Sequence, residues 1–238
     1  MIYKVQENYG KALEYFEQSL VLARETGDKR AERAVLNNIG EVYRKHGGYD
    51  QAWQYLKQSL VLSQDTGDKR GEILAHFNLG SLAKNKDTAL YHMEQCLVIG
   101  REIGDKQWES KILDNIGVIF ENECDYDRAI QYYEQSLTIR RGIGDIQGIS
   151  DSLYNMSIIA QEKEDHKLAF EYKSEAWKLA CQVGYIKGVF EYGYSFALLL
   201  VKAGAKDECL QVLRQSYELC KAANYRRAEE LAALIQQL

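Results

Sequence analysis

Two short signatures recur along this chain at one shared spacing, which restricts it to folds built from stacked, similar units. Gly27-Asp28, Gly67-Asp68, Gly104-Asp105 and Gly144-Asp145 stand 40, 37 and 40 residues apart. Asn38-Ile39-Gly40, Asn78-Leu79-Gly80, Asn115-Ile116-Gly117 and Asn155-Met156-Ser157 keep step with them, shortened interval included. Two motifs with one irregular rhythm mark an array of supersecondary units.

Each interval carries two segments with apolar residues at three- and four-residue steps, the pattern of amphipathic helices. From Asp28 to Gly67 the first stripe is Ala31, Ala34, Val35, Ile39, Val42 and Tyr43, and the second is Ala52, Trp53, Leu56, Leu60 and Val61. His46-Gly47-Gly48 separates them. One repeat is thus a helical hairpin, and the fold class is all-α. Gly67 can take the left-handed conformation that closes a helix, and Asp68 can accept hydrogen bonds from the free amides that open the next.

Within each hairpin a small residue of the first helix (Gly40, Gly80, Gly117, Ser157, Ala197) precedes one of the second (Ala52, Ala89, Ala129, Ala169, Cys209) at a near-constant interval. Glycine inside a helix costs ~1 kcal/mol against alanine, so its recurrence in one column indicates close helix packing. Tyr43, Ala83, Phe120, Ala160 and Leu200 follow the first small residue by three positions. Leu56, Met93, Tyr133, Lys173 and Leu213 follow the second by four. These columns are expected to fill the space between helices.

The small, aromatic and alanine columns resemble the tetratricopeptide repeat, a helix-turn-helix unit of ~34 residues. The longer period, the Asn-x-Gly signature and the Gly-Asp join are similar to the long-repeat subclass of Pins/LGN-type scaffolds, kinesin light chains and bacterial regulatory proteins. The resemblance implies a right-handed superhelical solenoid of stacked antiparallel helix pairs over the whole chain. The chain departs from the usual pattern in lacking proline altogether. The frame divides it into an incomplete first repeat at 1–26, repeats at 28–66, 68–103, 105–143, 145–183 and 185–223, and a terminal capping helix at 225–238. It assigns the three-residue loss in the third pair to the turn Lys84-Asn85-Lys86-Asp87. It also puts Tyr3 in the aromatic column, so that the first helix starts halfway. Helix Tyr9 to Glu25 would then expose Phe16 and Leu20 to a partner, or to a second copy of the chain.

Of 238 residues 46% are hydrophobic and 27% charged, enough apolar material for a substantial core. The longest apolar run, Phe196-Ala197-Leu198-Leu199-Leu200-Val201, is far short of the ~20 residues of a membrane helix, so no membrane association is expected. The start of the chain lacks the features of a secretory signal. Five cysteines without C-x-x-C spacing read as small hydrophobes in a reducing compartment, and the expected location is cytoplasmic. A net charge of −5 with interspersed signs argues against nucleic acid as a partner.

Catalytic constellations are not expected. The four histidines, His46, His76, His92 and His166, are read as falling in different repeats with no His or Cys partner, so neither metal nor cofactor is expected. Phosphate-loop and nucleophile-elbow motifs do not occur, and the carboxylates read as solvated helix faces.

The asparagine column is the sharpest candidate. Asn38, Asn78, Asn115 and Asn155 each precede the close-packed small residue by two positions, ~200° around the helix, and so point away from the partner helix. In arrays of the resembled family the first helices line the concave surface, where these amides would form a ladder for the backbone of an extended peptide. The same column also suits a buffer between stacked helices. Residues four before, three after and seven after each Asn lie within ~60° of it. The expected groove therefore includes Glu41, Lys45, Ser81, Asn85, Lys111, Asn122 and Asp151. Tyr154 and Tyr194 lie at its edge, with repeat-to-repeat packing as their competing role. Ser195 replaces the asparagine in the fifth pair, beside Glu191, Leu198 and Lys202, and ends the ladder.

These features point to a non-catalytic scaffold that binds a protein or peptide through its concave groove. The alternative is a regulatory domain from a larger signalling protein or enzyme, such as a peptide-sensing regulator or a protease linked to repeats. A structural oligomer stacking through its repeat ends is a third reading.

Overall fold

The structure, a computed structural model, describes residues 2–238, and for residues 2–8 the backbone alone. The expectation for Tyr3 therefore lies outside the described side chains. The described residues form twelve α-helices and no strand. They are α1 (Ile2–Glu25), α2 (Lys29–Lys45), α3 (Tyr49–Thr66), α4 (Lys69–Leu82), α5 (Lys86–Glu102), α6 (Lys106–Asn122), α7 (Tyr126–Ile143), α8 (Ile146–Glu162), α9 (His166–Gln182), α10 (Ile186–Lys202), α11 (Lys206–Ala222) and α12 (Ala228–Gln237). The chain divides into two compact units, Met1–Ile112 and Leu113–Leu238.

The joins follow from local chemistry. Gly67 closes α3 at φ 65° and Gly144 closes α7 at φ 71°, left-handed positions where a Cβ would be strained. The aspartates that follow cap the next helices: Asp28 accepts from the Ala31 amide at 3.0 Å, Asp68 from Gly71 at 2.9 Å and Asp145 from Gly148 at 2.9 Å. The same punctuation also operates inside hairpins without glycine. Cys124 and Glu164 take positive φ, and Asp125 and Asp165 cap α7 and α9.

Consecutive helices pack in both units, forming antiparallel pairs. In the first unit α2 also approaches α4; in the second α8 approaches α10, and α10 approaches α12. The second helices of successive pairs come together less closely, so the first helices form the inner face of each stack.

The small-residue columns sit where close packing demands them. A Cβ at Gly40 would lie 2.7 Å from Leu56 Cγ, at Gly80 2.9 Å from Met93 Cε, and at Gly117 2.6 Å from Tyr133 Cε1. The facing Ala52, Ala129, Ala169 and Cys209 are fully buried. A further small column runs along the second helices as Ser59, Cys96, Ser136, Ala176 and Ser216, all buried.

Three expectations change. Val61 is 54% exposed, because α3 turns Ser59 and Ser63 inward instead. Their hydroxyls bond to the Arg33 and Ser59 carbonyls at 3.2 and 2.8 Å. Leu20 is buried with Leu36 and Ile39, and Phe16 packs against that cluster, since α2 covers this side of α1. Among the described side chains of α1 the exposed large apolar residues are Tyr15, Val21 and Leu22. Finally, the short third pair loses its residues from α4, which has 14 where α2 has 17. Lys86 and Asp87 already belong to α5, and Asn85 caps it by accepting from the Thr88 amide at 2.8 Å.

Candidate functional site

The residues expected to line the groove fall on the inner-face helices but divide into spent and unspent groups. In the first unit Asn38 and Lys45 are exposed on α2, while Glu41 holds Arg44 through two bonds of 2.9 Å. Asn78 is only 7% exposed, and its amide donates to Asn37 Oδ1 at 3.0 Å, joining α4 to α2. It therefore has the geometry of a buffer between stacked helices. Ser81 is exposed, its hydroxyl donating to the Phe77 carbonyl at 2.8 Å. The Lys111 ammonium lies 4.7 Å from the Phe77 ring centre and 4.6 Å from that of Trp108, a cation held over two aromatic faces. Asn85 is engaged as the cap of α5.

In the second unit the face comprises the end of α6 together with α8 and α10. Asn115 is half-buried and engaged, and Asn122 is exposed. Asn155 is half-buried, and no described residue bonds to its amide. Tyr154 stacks on Tyr192 with ring centres 4.4 Å apart, joining α8 to α10, and Tyr194 stacks on Phe190 at 6.2 Å. Asp151 accepts from the Tyr192 hydroxyl. Burial raises its carboxyl above the usual range, against the opposing pull of that hydroxyl and of Arg140. Val118 and Leu198 stand beside these polar groups, 37% and 40% exposed.

Three buried polar groupings were not legible as such. Arg140 occupies a column otherwise held by Ser63, Gly100, Ala180 and Cys220, and pairs with Asp114 at 2.6 Å with both side chains buried. The Ser152 hydroxyl donates to Asp114 at 3.0 Å. Burial pushes Asp114 up to about 6, and Arg140 pulls the other way. The guanidinium packs over Gly148, whose missing side chain leaves room for it. Arg140 Nε and Nη1 have no hydrogen-bond partner among the described residues.

The second grouping corrects the histidine expectation. His76 on α4 and His92 on α5 belong to one helix pair, and their Nδ1 atoms are 2.8 Å apart and buried. One neutral ring donates and the other accepts. Sixteen residues of separation hid this contact, because it arises only when the hairpin closes. Burial, and then the partner ring, lower His76 to about 4; burial, then Lys57, lowers His92. Among the described residues no group of three or more His, Cys, Asp or Glu could hold a metal ion.

In the third grouping, the Lys173 ammonium donates to Gln161 Oε1 at 2.7 Å and to Ser195 Oγ at 2.9 Å. The residue is only 4% exposed, although its column holds Leu56, Met93 and Leu213 elsewhere. The departure from an apolar column was the available signal. Tyr133 in the same column likewise finds a polar partner, donating to Glu121 at 2.6 Å.

Burial pushes the Cys96 thiol up to about 12 and Cys181 up to about 11, so these thiols stay protonated at neutral pH. Among the described residues no helix is long and apolar enough to cross a membrane.

Two family models described as tetratricopeptide repeat match residues 1–65 and 112–147. No curated protein matches the chain in sequence. Among solved structures, BtubC (BKLC) from P. vanneervenii is similar with a TM-score of 0.71 at 16% identity, over 92% of each chain. A signal transduction ATPase with a tetratricopeptide repeat sensor, from Pyrococcus horikoshii, is similar with a TM-score of 0.76 at 17% identity. That likeness covers 98% of this chain and 36% of the ATPase. The Rap conjugation gene regulator of plasmid pLS20, in complex with a peptide, gives 0.63 at 13% identity over 89% of this chain and 60% of the regulator. Helix pairs, packing columns and matched segments agree: the chain carries tetratricopeptide repeats.

Proposed function

We propose that the protein is a non-catalytic scaffold whose inner face binds an extended peptide or protein segment. The observation that carries this reading is the half-buried Asn155 amide, which no described residue engages, on a face with Tyr154, Val118 and Leu198. An amide offers two donors and an acceptor to a peptide backbone whatever its sequence. The aromatic and aliphatic neighbours supply side-chain contact, and rigid helices reduce the ordering cost of binding. The peptide-bound Rap regulator of similar fold supports the reading.

A second reading is regulatory: the array would sense a ligand for an effector domain, as the name of the repeat sensor in the Pyrococcus ATPase suggests for that protein. It uses the same inner face and differs only in what receives the signal.

Photo-crosslinking tests the face directly. Peptides selected from a random library with free C-termini are offered to chains carrying benzoylphenylalanine at Ile158 on α8 or at the exposed Thr138 on α7. Crosslinking at 158 and not at 138 is expected. Equal labelling, or labelling at 138 alone, contradicts the reading.

A further inference from the structure

We propose that the pocket around Lys173 and Lys202 is an anchoring site for a carboxylate, borne by the end or by an acidic side chain of the bound peptide. The cavity measures about 310 Å³ and is lined by Gln161, Lys173, Ser195, Leu198, Leu199 and Lys202, among others. It opens where Ser195 replaces the asparagine of the earlier repeats. The inference rests on the inner-face reading for the path of the rest of the peptide, and on its own geometry for the anion.

Charge is the first argument. A buried ammonium ordinarily sits beside a carboxylate, because an unpaired charge out of water costs several kcal/mol. Lys173 is 4% exposed, yet its two partners, Gln161 Oε1 and Ser195 Oγ, are neutral. The charged group that acts on it is another cation, Lys202, which itself forms no ion pair among the described residues. A protein of net charge −5 thus keeps two cations and no carboxylate around one pocket.

Hydrogen bonding is the second. An ammonium has three donors, and Gln161 and Ser195 use two of those on Lys173. Accepting from Lys173 leaves the Ser195 hydroxyl proton free to donate. One ammonium hydrogen, one hydroxyl and the exposed Lys202 together suit the two oxygens of a carboxylate. Leu198 and Leu199 give the remaining wall an apolar surface, which suits a residue with an aliphatic body and disfavours a hydrated phosphate dianion.

The test uses the full chain, labelled with nitrogen-15, and small probes. N-acetyl-leucine carries a terminal carboxylate, N-acetyl-glutamic acid α-amide a side-chain one, and N-acetyl-leucinamide none. At least one of the two carboxylates should shift the Ser195, Leu198 and Leu199 amides saturably, and the better binder identifies the source. N-acetyl-leucinamide and inorganic phosphate should bind at least tenfold more weakly. Lys173→Met should abolish the shifts while keeping the fold, since Met93 fills the same column in α5. Lys202→Gln should weaken them severalfold. Equal shifts from acid and amide, stronger shifts from phosphate, or unchanged binding in folded Lys173→Met would overturn the proposal. Absence of shifts from both carboxylates would overturn it too. These readouts need no selected peptide. If crosslinking at 158 fails while N-acetyl-leucine still binds, the inner-face reading falls and the anion site stands.

Discussion

His76 and His92 meet nitrogen to nitrogen, Nδ1 to Nδ1 at 2.8 Å, across the buried seam of α4 and α5. The bond needs one unprotonated Nδ1 to accept from the other ring, so the two rings cannot both be charged, and burial disfavours a charge on either. In the unfolded chain imidazole takes up its proton near 6.5, whereas the folded protein holds His76 neutral down to about 4. Between those values the unfolded chain binds more protons, so stability falls as the pH is lowered. At about 1.4 kcal/mol per unit, His76 alone sets an upper limit near 3 kcal/mol. Urea unfolding at pH 7 and pH 4.5 should show this loss, and the double variant His76→Leu, His92→Leu should remove most of it. An unchanged pH dependence in the variant contradicts the assignment.

Arg140 should be costly to remove alone and cheap to remove with its partner. Arg140→Ala restores the small residue of its column but strands Asp114 in the core, and breaking a buried pair costs about 3 to 5 kcal/mol. Adding Asp114→Asn should recover about half or more of that loss. A double-mutant cycle by chemical denaturation measures the coupling, and additive effects would contradict it.

The two helical glycines Gly117 and Gly142 should respond in opposite directions to alanine. A Cβ at Gly117 would stand 2.6 Å from the ring of fully buried Tyr133, whereas at Gly142 nothing lies within 4 Å. Gly117→Ala should destabilise by about 1 to 2 kcal/mol, overpacking outweighing the gain in helix propensity. Gly142→Ala should stabilise by about 0.5 to 1 kcal/mol. Thermal unfolding checks both, and stabilisation by Gly117→Ala would contradict the close approach.

Periodicity made the helices and their packing columns legible, because a repeat shows its constraints several times over. Gly40, Gly80 and Gly117 each face a large side chain, and that requirement is visible as a column. What escaped were the singular residues. Asn37, adjacent to the recognised asparagine, receives the Asn78 amide; Arg140 and Lys173 interrupt columns of small or apolar residues. A polar residue in such a column has to find its partner across helices, and sequence spacing within a helix does not encode that distance. The inner face was legible as a set of positions. Which of those side chains are free depends on contacts between successive first helices.

The central claim, that the inner face of the second unit binds a peptide, is tested most directly by fluorescence anisotropy. A peptide selected on the wild-type chain is titrated against the double variant Val118→Ala, Asn155→Ala. Binding should weaken at least tenfold, with helicity by circular dichroism and the melting temperature nearly unchanged. Equal affinity in the folded double variant would contradict the account.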